Sequence, residues 1–175
     1  DLIGRHNHGV IRLPALVERA RKGALDLAST PVTERLSPAA ERLDAKQGLG
    51  QYAGHFATRR AIALAEAEGV GAVGVRDSNY YGVGAFYVNQ MAQAGMIGIA
   101  LSSSTPKVAA HMGRDPVLGT NPFAFGAPMP DGRTLMLDMS TAGLAGSTVR
   151  EHQEKGWPLP EGFLIDQTGA PVTDP

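Results

Sequence analysis

The hydrophobic and polar pattern of the chain changes period several times, and each change marks an element. Pro14 through Lys22 reads as a short helix, with proline in its first turn and Gly23 just past its end. Between Asp26 and Gly48 the alternation shortens, and Val32–Leu36 and Arg42–Ala45 read as edge strands separated by turns. From Gly50 to Glu68 the period becomes helical. Tyr52, Phe56, Ala63 and Ala67 fall on one face, with Gly69 as the stop. Ala72–Val75 is expected as a short buried strand, 83–94 as a helix closed by Gly95, and 96–101 as a second buried strand. Strand, helix and apolar strand in that order predict a parallel, right-handed α/β unit. Pro122–Gly126 and Thr134–Leu137 read as strands joined by a turn at Pro130-Asp131-Gly132. A helix over 147–155 is followed by a stiff Trp157-Pro158-Leu159-Pro160 loop.

Composition narrows what such a chain can do. Its 175 residues, 43% hydrophobic and 19% charged, suit one α/β domain and exclude a disordered chain. Sixteen Lys and Arg against seventeen Asp and Glu leave no basic field for nucleic acid. With no cysteine, disulfides, thiolate chemistry and zinc–sulfur sites are excluded, which fits a reducing, cytoplasmic setting. No apolar run approaches the ~18 residues of a spanning helix. Both ends break off abruptly, and the chain is expected to be part of something longer.

Gly69-Val70-Gly71-Ala72-Val73-Gly74 matches G-x-G-x-x-G as text. It follows a helix and enters a strand, the reverse of a dinucleotide fingerprint, and no acidic residue stands about 20 positions on. It is therefore read as a helix end packed on a strand. His6 and His8 could hold a metal, although no third ligand is near; alternatively one of them exchanges protons, or both are surface residues. Arg12, four residues after His8, could fork onto a carboxylate or simply face solvent. The segment 77–82, Asp-Ser-Asn-Tyr-Tyr-Gly, sits where ligands bind in α/β sheets, and Ser78 or Asn79 could equally cap the next helix. Thr120 and Asn121 could bind an acid or bond their own turn. The small residues of 138–143 would let backbone approach a cofactor, or serve only as a connection. His55 is read as a helix-surface residue.

These clusters, in this order, resemble the second type of malate/L-lactate dehydrogenase, a family that includes 2-hydroxyacid, ureidoglycolate, sulfolactate and diketogulonate oxidoreductases and cyclic ketimine reductases. The matching text is Asn7-His8-Gly9-Val10-Ile11-Arg12-Leu13-Pro14, Gly48-Leu49-Gly50-Gln51, residues 77–82, residues 114–122, Leu137-Asp138-Met139-Ser140-Thr141, residues 158–162 and the terminal Thr173-Asp174-Pro175. Together they cover the whole chain. The resemblance implies an NAD- or NADP-dependent oxidoreductase of small 2-oxo and 2-hydroxy acids, working as a homodimer on a non-Rossmann mixed sheet with flanking helices. It implies that His8 is the catalytic acid/base and that Arg12, Tyr80, Thr120 and Asn121 bind substrate. Asp138, Met139, Ser140 and Thr141 would line the cofactor. No metal is expected. The family's chain is about twice as long, so 1–175 is expected as a single partial domain without the family's N-terminal helix and C-terminal portion. Three departures stand out. Asn7 replaces a usual Ser, Tyr80 a common His, and Gly146-Ser147-Thr148 an Arg-Gly-Lys. They motivate the alternative of a degenerate relative that binds an acid without turning it over. Cyclic imino acids are the alternative substrate.

Overall fold

The computed structural model describes Gly4 and residues 8–174. His6 and Asn7, and with them the two-histidine metal reading, lie outside the described residues. Two compact units emerge. One holds the residues up to Gly98 together with Gly126–Met136, the other Ile99–Phe125 and the residues from Leu137 on.

In the first unit, one turn of 3-10 helix at Val10–Arg12 runs into α1 (Leu13–Arg21). Pro14 sits in the first turn, where a missing N–H costs nothing. β1 (Val32–Ser37) and β2 (Ala40–Asp44) form an antiparallel hairpin. α2 (Gly50–Glu68) then returns the chain so that β3 (Ala72–Arg76) pairs parallel with β2, Ala40 opposite Ala72 and Asp44 opposite Arg76. The sheet is mixed, in the order β1-β2-β3. Gly69 ends α2 in the left-handed region, at φ 80°, so the G-x-G-x-x-G text is a helix end and a strand. α3 (Gly84–Gln93) follows.

β4 (Gly98–Leu101), β7 (Phe123–Pro128) and β8 (Thr134–Met139) form a second sheet in the order β4-β7-β8. Gly132, at φ 82°, makes the turn between β7 and β8. Residues 99–101, 123–125 and 137–139 of this sheet count with the second unit. That unit also carries a small hairpin of β5 (Val108–Ala109) and β6 (Pro116–Leu118), helix α4 (Gly146–Lys155), and a hairpin of β9 (Leu164–Ile165) and β10 (Pro171–Val172). Among the described residues no helix is long and apolar enough to cross a membrane.

Four expectations need correction. The parallel unit is β2-α2-β3, not β3-α3-β4, because β3 and β4 belong to different sheets. β2 is consequently central, not an edge. Its Glu41 hides this in the sequence: a carboxylate at a core position reads as a solvent-facing one. The apolar strands are also less covered than their composition suggests. β3 lies at an edge with Val75 exposed, and Ile99 and Leu101 of β4 are exposed. Finally, the buried stripe of α2 is Gly50, Ala53, Ala57, Thr58 and Leu64, whereas Tyr52, Ala63 and Ala67 face outward. Leu43, Ala45, Ala53 and Ala57 form the core between β2 and α2, with Phe56 and Val73 packed at its margin. Small side chains win these positions because the helix lies close to its neighbours. A Cβ on Gly71 would strike the Ala61 carbonyl, and one on Gly54 would strike the Tyr87 ring.

Glu41 is buried on β2, and three elements converge on it. Arg60 of α2 forks onto both of its oxygens, with Nε at 2.8 Å, and Arg35 of β1 donates at 3.2 Å. The Arg60 hydrogen bond holds its carboxyl below the ordinary range against the opposing effect of burial. A lowered native pKa contributes stability that is present above the unfolded value of about 4.3 and is lost as pH falls through the native one. Arg60→Met is expected to cost about 1–3 kcal/mol at pH 7. Denaturant unfolding from pH 7 downward checks this, since the difference between variant and parent should shrink as pH falls through the lowered native pKa of Glu41.

Candidate active site

In the first unit, the loop between β3 and α3 is held from three sides. Gln47 N donates to Asp77 O at 2.7 Å, and Asn79 Nδ2 donates to Gln47 O at 2.8 Å and Gly48 O at 3.1 Å. Lys46, Gln47 and Asp77 all have positive φ, at 51°, 59° and 49°. Non-glycine residues hold that conformation only where neighbours over-determine it, and such strain gathers at functional sites. On the third side α2 begins at Gly50, where a Cβ would collide with the carbonyl oxygens of Asn79 and Tyr80. The expected cap is absent, since α3 starts after Val83 with no side-chain cap. Asn79 instead spends its amide on the 47–48 turn.

This frame presents Tyr80 to the amino end of α1. The His8 ring lies 6.1 Å from the Tyr80 ring, and the Arg12 guanidinium carbon 5.5 Å from its centroid, within cation–π range. His8, Arg12 and Tyr80 are each partly buried. Burial raises the Tyr80 phenol above its ordinary value, with the Arg12 charge and hydrogen bond opposing. Tyr80 therefore stays protonated across the neutral range and remains a donor. The imidazole and guanidinium that the sequence singled out are thus gathered on one phenol. Tyr87 donates to the Tyr81 carbonyl beneath, and the two rings stack at 5.3 Å.

Sequence reasoning missed two features here. Arg19 reaches Asn79 Oδ1 at 2.6 Å. Its signal was its place seven residues after Arg12. His55 is half-buried rather than on the surface. Its Nδ1 and the Gln51 Oε1, one turn apart on α2, are buried without a hydrogen-bond partner among the described residues.

In the second unit, Thr120 and Asn121 form a tight turn with Asn121 at φ 30°. Thr120 N donates to Ser104 Oγ at 2.9 Å, and Ser104 N donates to Asn121 Oδ1 at 3.1 Å. A Cβ on Gly119 would strike the Ser104 carbonyl. The end of β8 and the loop after it are laced to the same turn. Thr120 O accepts from Ser140 Oγ at 3.1 Å, from Thr141 Oγ1 at 3.2 Å and from Thr141 N at 3.0 Å. Asn121 O accepts from Thr141 Oγ1 at 3.0 Å. Of the cofactor residues predicted at 138–141, Ser140 and Thr141 are thus hydrogen-bonded to the pocket turn predicted at 120–121. Asp138 is half-buried and Met139 exposed. Segment 138–148 carries no Lys or Arg. A loop with a carboxylate, hydroxyls and a thioether but no cation has no positive side chain to pair with a phosphate. Among the described residues no group of three His, Cys, Asp or Glu could hold a metal ion.

A family model described as malate/L-lactate dehydrogenase matches residues 1–175. The chain belongs to that family. Within it, the chain is 38% identical over 169 residues to a malate dehydrogenase of Pyrococcus abyssi, covering 97% of this chain and 46% of the relative. It is 34% identical over 175 residues to the ureidoglycolate dehydrogenase (NAD(+)) of Escherichia coli O157:H7, covering 100% of this chain and 50% of the relative. Its backbone matches the crystal structure of delta1-piperideine-2-carboxylate reductase from Pseudomonas syringae with a TM-score of 0.92 at 32% identity, covering 98% of this chain and 52% of that one. The chain thus spans about half the length of the malate/L-lactate dehydrogenase relatives it matches.

Gly50→Ala is expected to push the 79–80 backbone off the end of α2, at a cost of about 1–3 kcal/mol from overpacking. Thermal melting reads the loss of stability. A crystal structure of the variant with Tyr80 in place would contradict the argument.

Proposed function

We propose that this chain carries the acid-binding and proton-transferring groups of a nicotinamide-dependent oxidoreductase that interconverts small 2-oxo acids and 2-hydroxy acids. The observation that supports it most directly is the convergence of His8 and Arg12 on the Tyr80 ring. Arg12 pairs its fork with the substrate carboxylate. That holds C2 and its oxygen near His8 and Tyr80, in an attack-ready geometry. A bound nicotinamide supplies or accepts the hydride at C2. In the reducing direction His8 gives its proton to the oxygen as C2 gains hydride, leaving the alcohol. In the oxidising direction it takes the proton back. Tyr80, held neutral by burial, donates a hydrogen bond to the developing oxyanion and does not itself titrate near pH 7.

In the second unit, the Thr120–Asn121 turn is read as substrate-binding and the loop Asp138–Thr141 as cofactor-lining. Asp138 would offer a carboxylate to ribose hydroxyls and the exposed Met139 an apolar surface to an aromatic ring, while Ser140 and Thr141 fix the loop to the turn. NAD is the cofactor named for the ureidoglycolate relative, and NADP is the alternative. A cyclic ketimine substrate is the second reading, favoured by the piperideine-carboxylate reductase match. There the same proton goes to an imine nitrogen and Arg12 keeps its role. We read the fold as a non-Rossmann mixed sheet, consistent with a Gly69–Gly74 segment that ends a helix and enters a strand. The 175 residues are read as one partial oxidoreductase domain, cytoplasmic and acting as a homodimer. The exposed apolar side chains of Leu13 and Val17 on α1, and of Ile11 in the turn before it, support a partner surface.

Oxidation of NADH and NADPH against pyruvate, oxaloacetate and cyclic ketimines, with NAD(P)+ reduction on ureidoglycolate-like acids, tests the proposal. His8→Ala is expected to lower kcat by about 10². Arg12→Lys should raise KM for the acid while leaving that for the cofactor unchanged. Cofactor-independent acid binding with no turnover would instead identify a degenerate relative.

A further inference from the structure

We propose that Arg19 and Asn79 are positioning residues. The hydrogen bond between them seats α1 so that Arg12 lies over Tyr80. The proposal rests on the reading of Arg12 as the carboxylate-holding group.

Helix α1 buries none of its residues fully: Leu13 and Val17 are exposed and Leu16 is half-buried. Hydrophobic packing therefore holds it only weakly in the described structure, and polar contacts fix its place. Arg12 closes the 3-10 turn that leads into α1 and Arg19 stands seven residues on, near the other end of the helix, and both guanidiniums reach the 79–80 loop. One lies 5.5 Å from the Tyr80 ring centroid, and the other donates to Asn79 Oδ1 at 2.6 Å. Consecutive residues of one loop thus receive side chains from the two ends of the helix. Asn79 is itself rigid, because its amide nitrogen is committed to Gln47 O and Gly48 O and its carbonyl lies against Gly50. Arg19 also donates to Ala24 O at 3.4 Å, which ties the clasp to the turn that ends α1. A helix held at one point can pivot about it. Held at two, it cannot rotate Arg12 away from the phenol. The charged–neutral hydrogen bond is of the stronger kind, and the Asn79 acceptor is aimed by its two other bonds.

The test compares Arg19→Ala, Arg19→Lys, Asn79→Ala and the double alanine variant by steady-state kinetics and by hydrogen exchange of the α1 amides. Arg19→Ala should raise KM for the acid about tenfold, with kcat changed less than threefold and KM for the nicotinamide cofactor unchanged. Arg19→Lys should recover most of the loss. The double variant should be no worse than Asn79→Ala alone, because the two residues act through one contact. An unchanged acid KM in Arg19→Ala, or fully additive losses, would overturn the proposal. If the parent protein turns over none of the acids, the reading of the site fails and exchange decides the clasp by itself. Faster exchange over 13–21 in Arg19→Ala supports it, and unchanged exchange ends it.

Discussion

The contact between the first turn of α2 and the backbone of residues 79–80 constrains the whole first unit. It exists because residue 50 has no side chain: any Cβ would occupy the space of two carbonyl oxygens. That approach places the 79–80 loop against the 47–48 turn, where the Asn79 amide can satisfy two carbonyls at once. Three non-glycine residues then accept left-handed backbone within a few ångströms of one another. Each costs about 1–3 kcal/mol in isolation and persists only because the surrounding bonds leave no alternative. The result is a loop with little freedom, and it fixes the half-buried Tyr80 ring against Arg12 and His8.

The second unit solves the same problem with different chemistry. No helix end presses on the Thr120–Asn121 turn. Instead its carbonyls collect hydroxyl and amide donors from Ser140 and Thr141, and Ser104 closes the other side. Small hydroxyl residues suit the task because their donors sit close to the main chain, so two loops can be laced with short bonds and little side-chain entropy lost. The hydroxyls that looked like ligand contacts in the sequence are thus partly structural. They hold the backbone in place and leave Asp138 and Met139 as the side chains with reach.

Much of this was legible in the sequence, and the losses have identifiable causes. α2 was readable to the residue because Gly50 opens it and Gly69 follows its last residue, with a continuous 3.6-residue period between. Its buried face was not, because large apolar residues dominate a pattern reading while the core here is built on Gly50, Ala53 and Ala57. Strand pairing failed for a related reason. β3 and β4 looked alike in composition, but the partner of β3 was β2, whose buried Glu41 gave it the signature of an edge. A carboxylate satisfied by two arginines from other elements cannot be recognised as core from its own segment. His8, Arg12 and Tyr80 could be named from their chemistry alone, and the structure brings the three together. What the linear pattern omitted was the support, Arg19 and Gly50, whose roles exist only once helices and loops are in contact.

The replacement of an imidazole by a phenol at position 80 can be weighed with the same physics. Where the family commonly has histidine, a second titrating group would stand beside His8 and compete with it for a proton near neutrality. A phenol raised further by burial removes that competition. The ring also offers what imidazolium cannot, a face of negative potential for the Arg12 guanidinium to rest on. If His8 and Arg12 act as proposed, tyrosine at this position replaces a second acid/base with a neutral donor and gives the Arg12 guanidinium a ring to rest on.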